Sequence, residues 1–167
     1  DQMYCLASMT VAGIQSVFSY DAAGNRVLAR RGAVTTRYYF DQFGKLLFET
    51  DEVGTVQNLY FYNDARLVAK VASNAEVFFY HHDKNGNTVA MTNASGAVVN
   101  AYAYTPYGEL AGSSETVTNR FKFVGGYGVM DEGGGIYFMK NRYYHAAMGR
   151  FLQKDPIGFS AGHTNLY

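Results

Sequence analysis

Tyr20-Asp21-Ala22-Ala23-Gly24-Asn25 is followed by Phe40-Asp41-Gln42-Phe43-Gly44-Lys45, and the figure then returns three times. The later copies are Tyr62-Asn63-Asp64-Ala65-Arg66, His82-Asp83-Lys84-Asn85-Gly86-Asn87 and Tyr104-Thr105-Pro106-Tyr107-Gly108-Glu109. The leading ring recurs at positions 20, 40, 62, 82 and 104, in steps of 20, 22, 20 and 22 residues. Each unit reads as a turn. The acid accepts hydrogen bonds from amides two or more residues on, and the glycine takes the left-handed conformation that returns the chain. Weaker turn signals lie midway, at Arg31-Gly32, Asp51-Glu52-Val53-Gly54, Ser73-Asn74 and Asn93-Ala94-Ser95-Gly96. The chain therefore reverses about every ten residues, which is the spacing of a meander of short strands. The third unit lacks its glycine and the fifth has Thr105-Pro106 in place of the acid, so these two turns are expected to differ in geometry.

The segments between turns carry strand patterns. Val34, Thr36, Tyr38 and Phe40 alternate with Thr35, Arg37 and Tyr39; Gln57, Leu59 and Phe61 alternate with Val56, Asn58, Tyr60 and Tyr62. Neither face is cleanly polar, so the pattern predicts a ribbon with one face packed and the other lined by tyrosines. Such a ribbon leaves strand edges that must be paired, covered or extended. The fold class expected is all-β: a meander of short antiparallel strands.

Composition agrees. Among 167 residues there are 15 Tyr, 12 Phe and 18 Gly but 2 Pro and no Trp, a balance that favours strands and tight turns over helices. Fourteen basic residues cancel fourteen acidic ones. No net field recruits nucleic acid, and no apolar run is long enough for membrane insertion as a helix. Cys5 is alone, so no disulfide forms within the chain; it reads as a small apolar side chain. The chain opens on Asp1 rather than Met, which suggests a processed product or excised piece.

The spaced aromatic-acid-glycine units resemble the YD repeats of bacterial RHS proteins, of Tc toxin C components and of teneurin shells. From His81 the chain is similar to the RHS-associated core, through Pro106-Tyr107-Gly108-Glu109, Phe121-Lys122-Phe123-Val124-Gly125, Asn141-Arg142-Tyr143-Tyr144, Gly149-Arg150-Phe151-Leu152 and Asp155-Pro156-Ile157-Gly158. It departs from the family at His145-Ala146, where Asp-Pro is usual, and at Gly133-Gly134-Gly135-Ile136-Tyr137, a more flexible turn. The resemblance implies a repeat ribbon over residues 1–120 and the C-terminal part of the core over 121–167. The core motif is carried by Arg142, Tyr143, Tyr144, Gly149, Phe151, Pro156 and Gly158. It also implies a secreted or cell-surface bacterial shell that encloses a C-terminal toxin, with other repeat strands, that cargo and a delivery apparatus as partners. A fibre built by strand-edge association and a carbohydrate-binding adhesin are the alternatives.

Candidate sites follow. The repeat turns rest on Asp21, Gly24, Asp41, Gly44, Asp83, Gly86, Pro106 and Gly108, and an aromatic ladder is expected from Tyr20, Phe40, Tyr62, Tyr80 and Tyr104. By resemblance, Asp155 with Arg150 belongs to an aspartyl self-cleavage motif. Such chemistry needs a second carboxylate beside the first, and the family places it, with the scissile bond, downstream. His81 and His82 point to opposite faces of a strand and cannot share a metal ion. No metal site and no cofactor are expected. Gly125-Gly126-Tyr127-Gly128 opens no helix and reads as a turn rather than a phosphate loop. Exposed tyrosines interleaved with Asn and Thr could stack on sugars, the basis of the glycan alternative.

Overall fold

The computed structural model describes residues 5–155. The first eleven strands are β1 (Ser8–Val11), β2 (Ile14–Tyr20), β3 (Arg26–Arg31), β4 (Val34–Phe40), β5 (Leu46–Thr50) and β6 (Val56–Asn63), then β7 (Arg66–Ala72), β8 (Val77–His82), β9 (Thr88–Asn93), β10 (Val98–Tyr104) and β11 (Leu110–Glu115). They form one antiparallel sheet in strict sequence order, a meander with no crossover. A second sheet comprises β12 (Met130–Gly133), β13 (Ile136–Met139), β14 (Arg142–His145) and β15 (Arg150–Phe151), also in order. Among the described residues, helix is confined to two single 3-10 turns, at Gly125–Tyr127 and Ala146–Met148. The fold is all-β with open sheets, as the turn spacing predicts.

Most repeat turns share one geometry. The Asp21 N–H donates to the Asn25 carbonyl and Gly24 N–H returns to the Asp21 carbonyl, and the same two bonds recur at 41–45, 51–55, 83–87 and 93–97. The Asp83 Oδ1 accepts from the amides of Asn85 and Asn87, each at 2.9 Å. The third turn is different, as its missing glycine predicts: Asn63 pairs directly with Arg66 and Asp64 carries the positive φ, 49°. The fifth turn departs from expectation. Thr105 N–H bonds the Glu109 carbonyl, Gly108 N–H bonds the Thr105 carbonyl, and the Thr105 hydroxyl accepts from the Glu109 amide at 3.2 Å. The hydroxyl thus replaces the carboxylate, and Pro106 occupies a position whose amide none of the equivalent turns uses.

Before each leading ring the ladder slips. Register shifts fall at Ser19/Tyr20, Tyr39/Phe40, Phe61/Tyr62, His81/His82 and Ala103/Tyr104. A bulge inserts one residue and re-aims the side chain that follows. The extra residue lies on the following strand, at Val27, Leu47, Val68, Val89 and Ala111, while each leading ring faces the same side as the residue two positions earlier by ordinary strand alternation. Phe18, Tyr38, Tyr60, Tyr80 and Tyr102 are buried on that side. The tyrosines therefore line mostly the packed face rather than the open one. Pairing carries the outward rings instead: Tyr39 stacks on Phe48 at 4.4 Å, and Phe61 and Phe79 both oppose Ala69. Among the described residues, no ring contact joins Tyr20, Phe40, Tyr62, Tyr80 and Tyr104 into a ladder. Successive turns on one margin are two strands apart, about 9–10 Å, and rings at that distance do not meet.

Candidate functional site

The packed face of the long sheet is covered by the chain from Thr116 onward, here called the C-terminal module. Residues 116–124 cross the sheet as a strap held by backbone and amide groups. Thr88 N–H donates to the Lys122 carbonyl at 2.9 Å and its hydroxyl to the Phe121 carbonyl at 2.7 Å. The buried Asn100 accepts from the amides of Thr116 and Val117 through Oδ1 and donates to the Val117 carbonyl. Asn119, also buried, does the same for Phe121. These two side chains supply the hydrogen bonds that a strand neighbour would, which lets an irregular segment lie buried.

The strap and β12–β14 both set rings against the ribbon. Phe121 packs edge-on to Tyr60, Phe138 lies 6.3 Å from Tyr20, and Tyr143 contacts Phe18 at 5.6 Å. Phe121, Phe138, Tyr137 and Tyr143 are all buried. Tyr20 donates its hydroxyl proton to the Leu6 carbonyl and sits 3.0 Å from the Tyr143 hydroxyl. Of the predicted ring set, Tyr20, Tyr80 and Tyr104 therefore act by touching the module, Tyr80 through Phe121 and Asn119 and Tyr104 through Phe123.

A chain of charges runs through the same contact. Arg26, fully buried on β3, pairs with Glu132 of β12 at 2.7 Å, and Arg31 pairs with the same carboxylate. Arg31 and Arg120 both donate to the Tyr38 hydroxyl, at 3.3 and 3.2 Å. Asn58 donates to Glu49 at 2.7 Å, and Lys70 donates to the Thr118 carbonyl at 2.6 Å. Lys122 bridges Glu115 and Asp131, 3.0 Å from each. Burial pushes the Glu132 carboxyl up, and the Arg26 and Arg31 guanidinium groups more than offset it, holding it below the usual carboxylate range. Burial pulls the Lys70 ammonium down to about 8. Burial also raises Tyr20, Tyr60, Tyr80 and Tyr104 above the usual phenol range. Sequence reasoning missed every charge in this chain except as an even spread of Arg, Lys, Asp and Glu. The one available signal was a strand face carrying Arg or Lys beside aromatics.

The core-motif residues surround the second sheet. Arg142, Tyr143 and Tyr144 lie on β14, and Gly149 closes a 3-10 turn with φ of 62°. Phe151 pairs with Tyr144 in register and lies beneath the Arg142 guanidinium, 3.6 Å from ring centre to carbon. Asp155 pairs with Arg142 at 3.0 Å. Arg150 opposes His145 and is exposed, so the arginine beside Asp155 is Arg142 rather than the residue the motif pointed to. Pro156 and Gly158 lie outside the described residues. His81 is exposed and bonds Thr92, whereas His82 is half-buried and stacks on Tyr80, so the two histidines are separated by the sheet. Among the described residues no cluster of three metal-binding side chains occurs.

Comparison with known proteins agrees with this architecture. The profile of the Teneurin YD-shell family matches residues 58–165. The tRNA3(Ser)-specific nuclease WapA of Bacillus spizizenii is 30% identical over 151 residues, covering 88% of this chain and 6% of the nuclease. Double-stranded DNA deaminase toxin A of Burkholderia cenocepacia is 26% identical over 200 aligned positions, covering 100% of this chain and 14% of the toxin. The chain thus spans a small part of the relatives it matches. Among solved structures, the TcdB2-TccC3 crystal structure superposes with a TM-score of 0.69 at 18% identity, covering 95% of this chain and 9% of that one. A repeat-turned ribbon, a strap across one face and a family profile that runs from β6 through the strap and the module place this chain in the teneurin YD-shell family.

Proposed function

We propose that this chain is the terminal stretch of a longer bacterial, secreted shell that encloses a C-terminal toxic cargo, with residues 1–120 acting as wall and 121–167 as the segment that closes it. The observation that carries this reading is the buried contact between the two, in which Arg26 and Arg31 of the ribbon hold Glu132 of the module. A closing segment must be fixed to its wall more firmly than a passing contact, and a buried ion pair that is costly to break from one side holds the two parts together. The nuclease and deaminase-toxin relatives support a cargo of that kind. The outermost strands β1 and β11 each have one unpaired edge among the described residues, which suits continuation by further repeats.

Limited proteolysis of the full-length gene product tests this. The region following residue 167 is expected to survive digestion in the intact protein and to be cut once Glu132→Lys loosens the module. Equal digestion with and without the substitution overturns the reading. If the product instead polymerises through its strand edges, sedimentation will show it, and the fibre alternative replaces the shell. Self-cleavage, where it occurs, falls to Asp155 with Arg142 orienting its carboxylate; Asp155→Ala then leaves the full-length product uncut.

A further inference from the structure

A cleft of about 270 Å³ opens on the margin of the ribbon where the first three repeat turns meet the module. Its walls are rings from both parts: Phe40 and Tyr62 from the ribbon, Phe138 from the module. Phe43 stands at its lining with 74% of its surface exposed, the most exposed phenylalanine of the described chain. Three basic side chains, Arg26, Lys45 and Lys140, also line it, and among the described residues no acidic side chain does.

The charge count around the cleft is uneven. Glu132 is the carboxylate partner of both Arg26 and Arg31, so one buried anion faces two buried or half-buried cations. Arg26 is entirely buried, yet its Nε–H has no hydrogen-bond partner among the described residues. An unsatisfied buried donor is uncommon and costs free energy unless a ligand or water meets it. Lys45 extends over the Tyr62 ring at 5.8 Å while donating to the Asp64 carbonyl. The Lys140 amine lies over Gly44, close enough that a Cβ there would sit 2.8 Å from it. Asp41 keeps its charge close by but is not part of the lining, and its Oδ1 is turned to the amides of Phe43 and Lys45.

We propose that this cleft is a binding site for a small aromatic carboxylate, the ring lying among Phe40, Tyr62 and Phe138 and the carboxylate meeting the Lys45 and Lys140 ammonium groups. Ring walls alone would suit any flat apolar molecule, or a cation. The Lys45 and Lys140 ammonium groups, with no acidic side chain among the described lining residues, select against the cation and for a negative group. The volume takes one or two fused rings and little more, at the small end of ligand pockets.

The protein contains no tryptophan, so an indole probe reports its own surroundings without background. Indole-3-propionate is titrated with the full chain while its emission is followed. Saturable, blue-shifted emission is expected, with affinity about tenfold weaker in Lys140→Glu and about fivefold weaker for the uncharged indole-3-propionamide. Lys140 is exposed, and an unchanged urea midpoint confirms that its substitution leaves the fold intact. The comparison of acid with amide uses the unaltered protein and stands even if the variant fails to fold. Absence of saturation, or equal affinity for acid and amide, overturns the proposal.

Discussion

Glu132 is sealed beneath the module, with 1% of its side chain accessible, and is held by Arg26, whose side chain is fully inaccessible. The two residues belong to different sheets, so their pairing joins the ribbon to the module rather than either part to itself. Removing the carboxylate leaves the Arg26 charge out of reach of water without its anion, beside the partly buried Arg31. Glu132→Gln should cost about 3–5 kcal/mol, as for other buried pairs broken from one side. Urea unfolding at neutral pH reads this directly. A loss below about 1 kcal/mol, the range of exposed pairs, would show that water reaches the site.

Repeat-turn glycines divide into two kinds. Gly96 has φ of +83° and open space around the position of a Cβ, whereas Gly108 has φ of +92° and the Phe123 ring 2.6 Å from that position. Gly96→Ala should therefore cost only the left-handed backbone penalty, about 1–2 kcal/mol. Gly108→Ala should cost about 2 kcal/mol more, since the Phe123 ring must move away from Tyr104 and Tyr137. Gly86→Ala meets the Tyr127 ring and should fall between them, because Tyr127 is exposed and can swing aside. Chemical denaturation of the three variants gives the order.

The fifth turn shows that a hydroxyl can serve where the repeat has a carboxylate. Asp83→Thr should therefore lose less stability than Asp83→Ala, the latter costing about 1 kcal/mol as with other lost side-chain caps. Slight burial pushes the Asp83 carboxyl up, and the Asn87 side chain with the amides of Asn87, Asn85 and Gly86 pulls it below its usual 3.8. A lowered folded-state value means a contribution present above the unfolded value and lost as pH falls through the folded one. The wild-type and Asp83→Thr curves should accordingly converge in acid, below about pH 4.

Much of the fold was legible because each repeat turn is local: acid, glycine and ring lie within six positions and need no distant partner. The bulges were not legible, since a one-residue slip on the partner strand leaves no mark in composition. Neither was the module contact. Arg26 and Glu132 are unremarkable charges in the sequence, and only tertiary packing shows that each excludes water from the other. The self-cleavage motif illustrates the same limit. Arg150 precedes Asp155 closely, yet β14 and β15 lie antiparallel and bring Arg142 to it. Asn100 and Asn119 read as ordinary strand and loop residues, although both hold the strap.

Lys70 gives the protein an alkaline signature. Burial lowers its ammonium from the usual 10.5 to about 8, while the Glu49 and Glu115 carboxylates pull the other way and the Arg120 guanidinium adds to the lowering. The folded protein thus sheds this proton at lower pH than the unfolded chain, so between about 8 and 10 the unfolded state binds more protons. Stability must then rise with pH across that window. Above it the buried tyrosines reverse the slope. Burial raises Tyr60 and Tyr80 in the folded state, the unfolded chain releases phenol protons first, and stability falls. Urea midpoints measured from neutral pH upward should pass through a maximum near pH 10. In Lys70→Met the rising limb should vanish while the fall above it remains. A wild-type midpoint that declines steadily from pH 7.5 would show that Lys70 keeps its proton when buried, held by Glu49 and the Thr118 carbonyl.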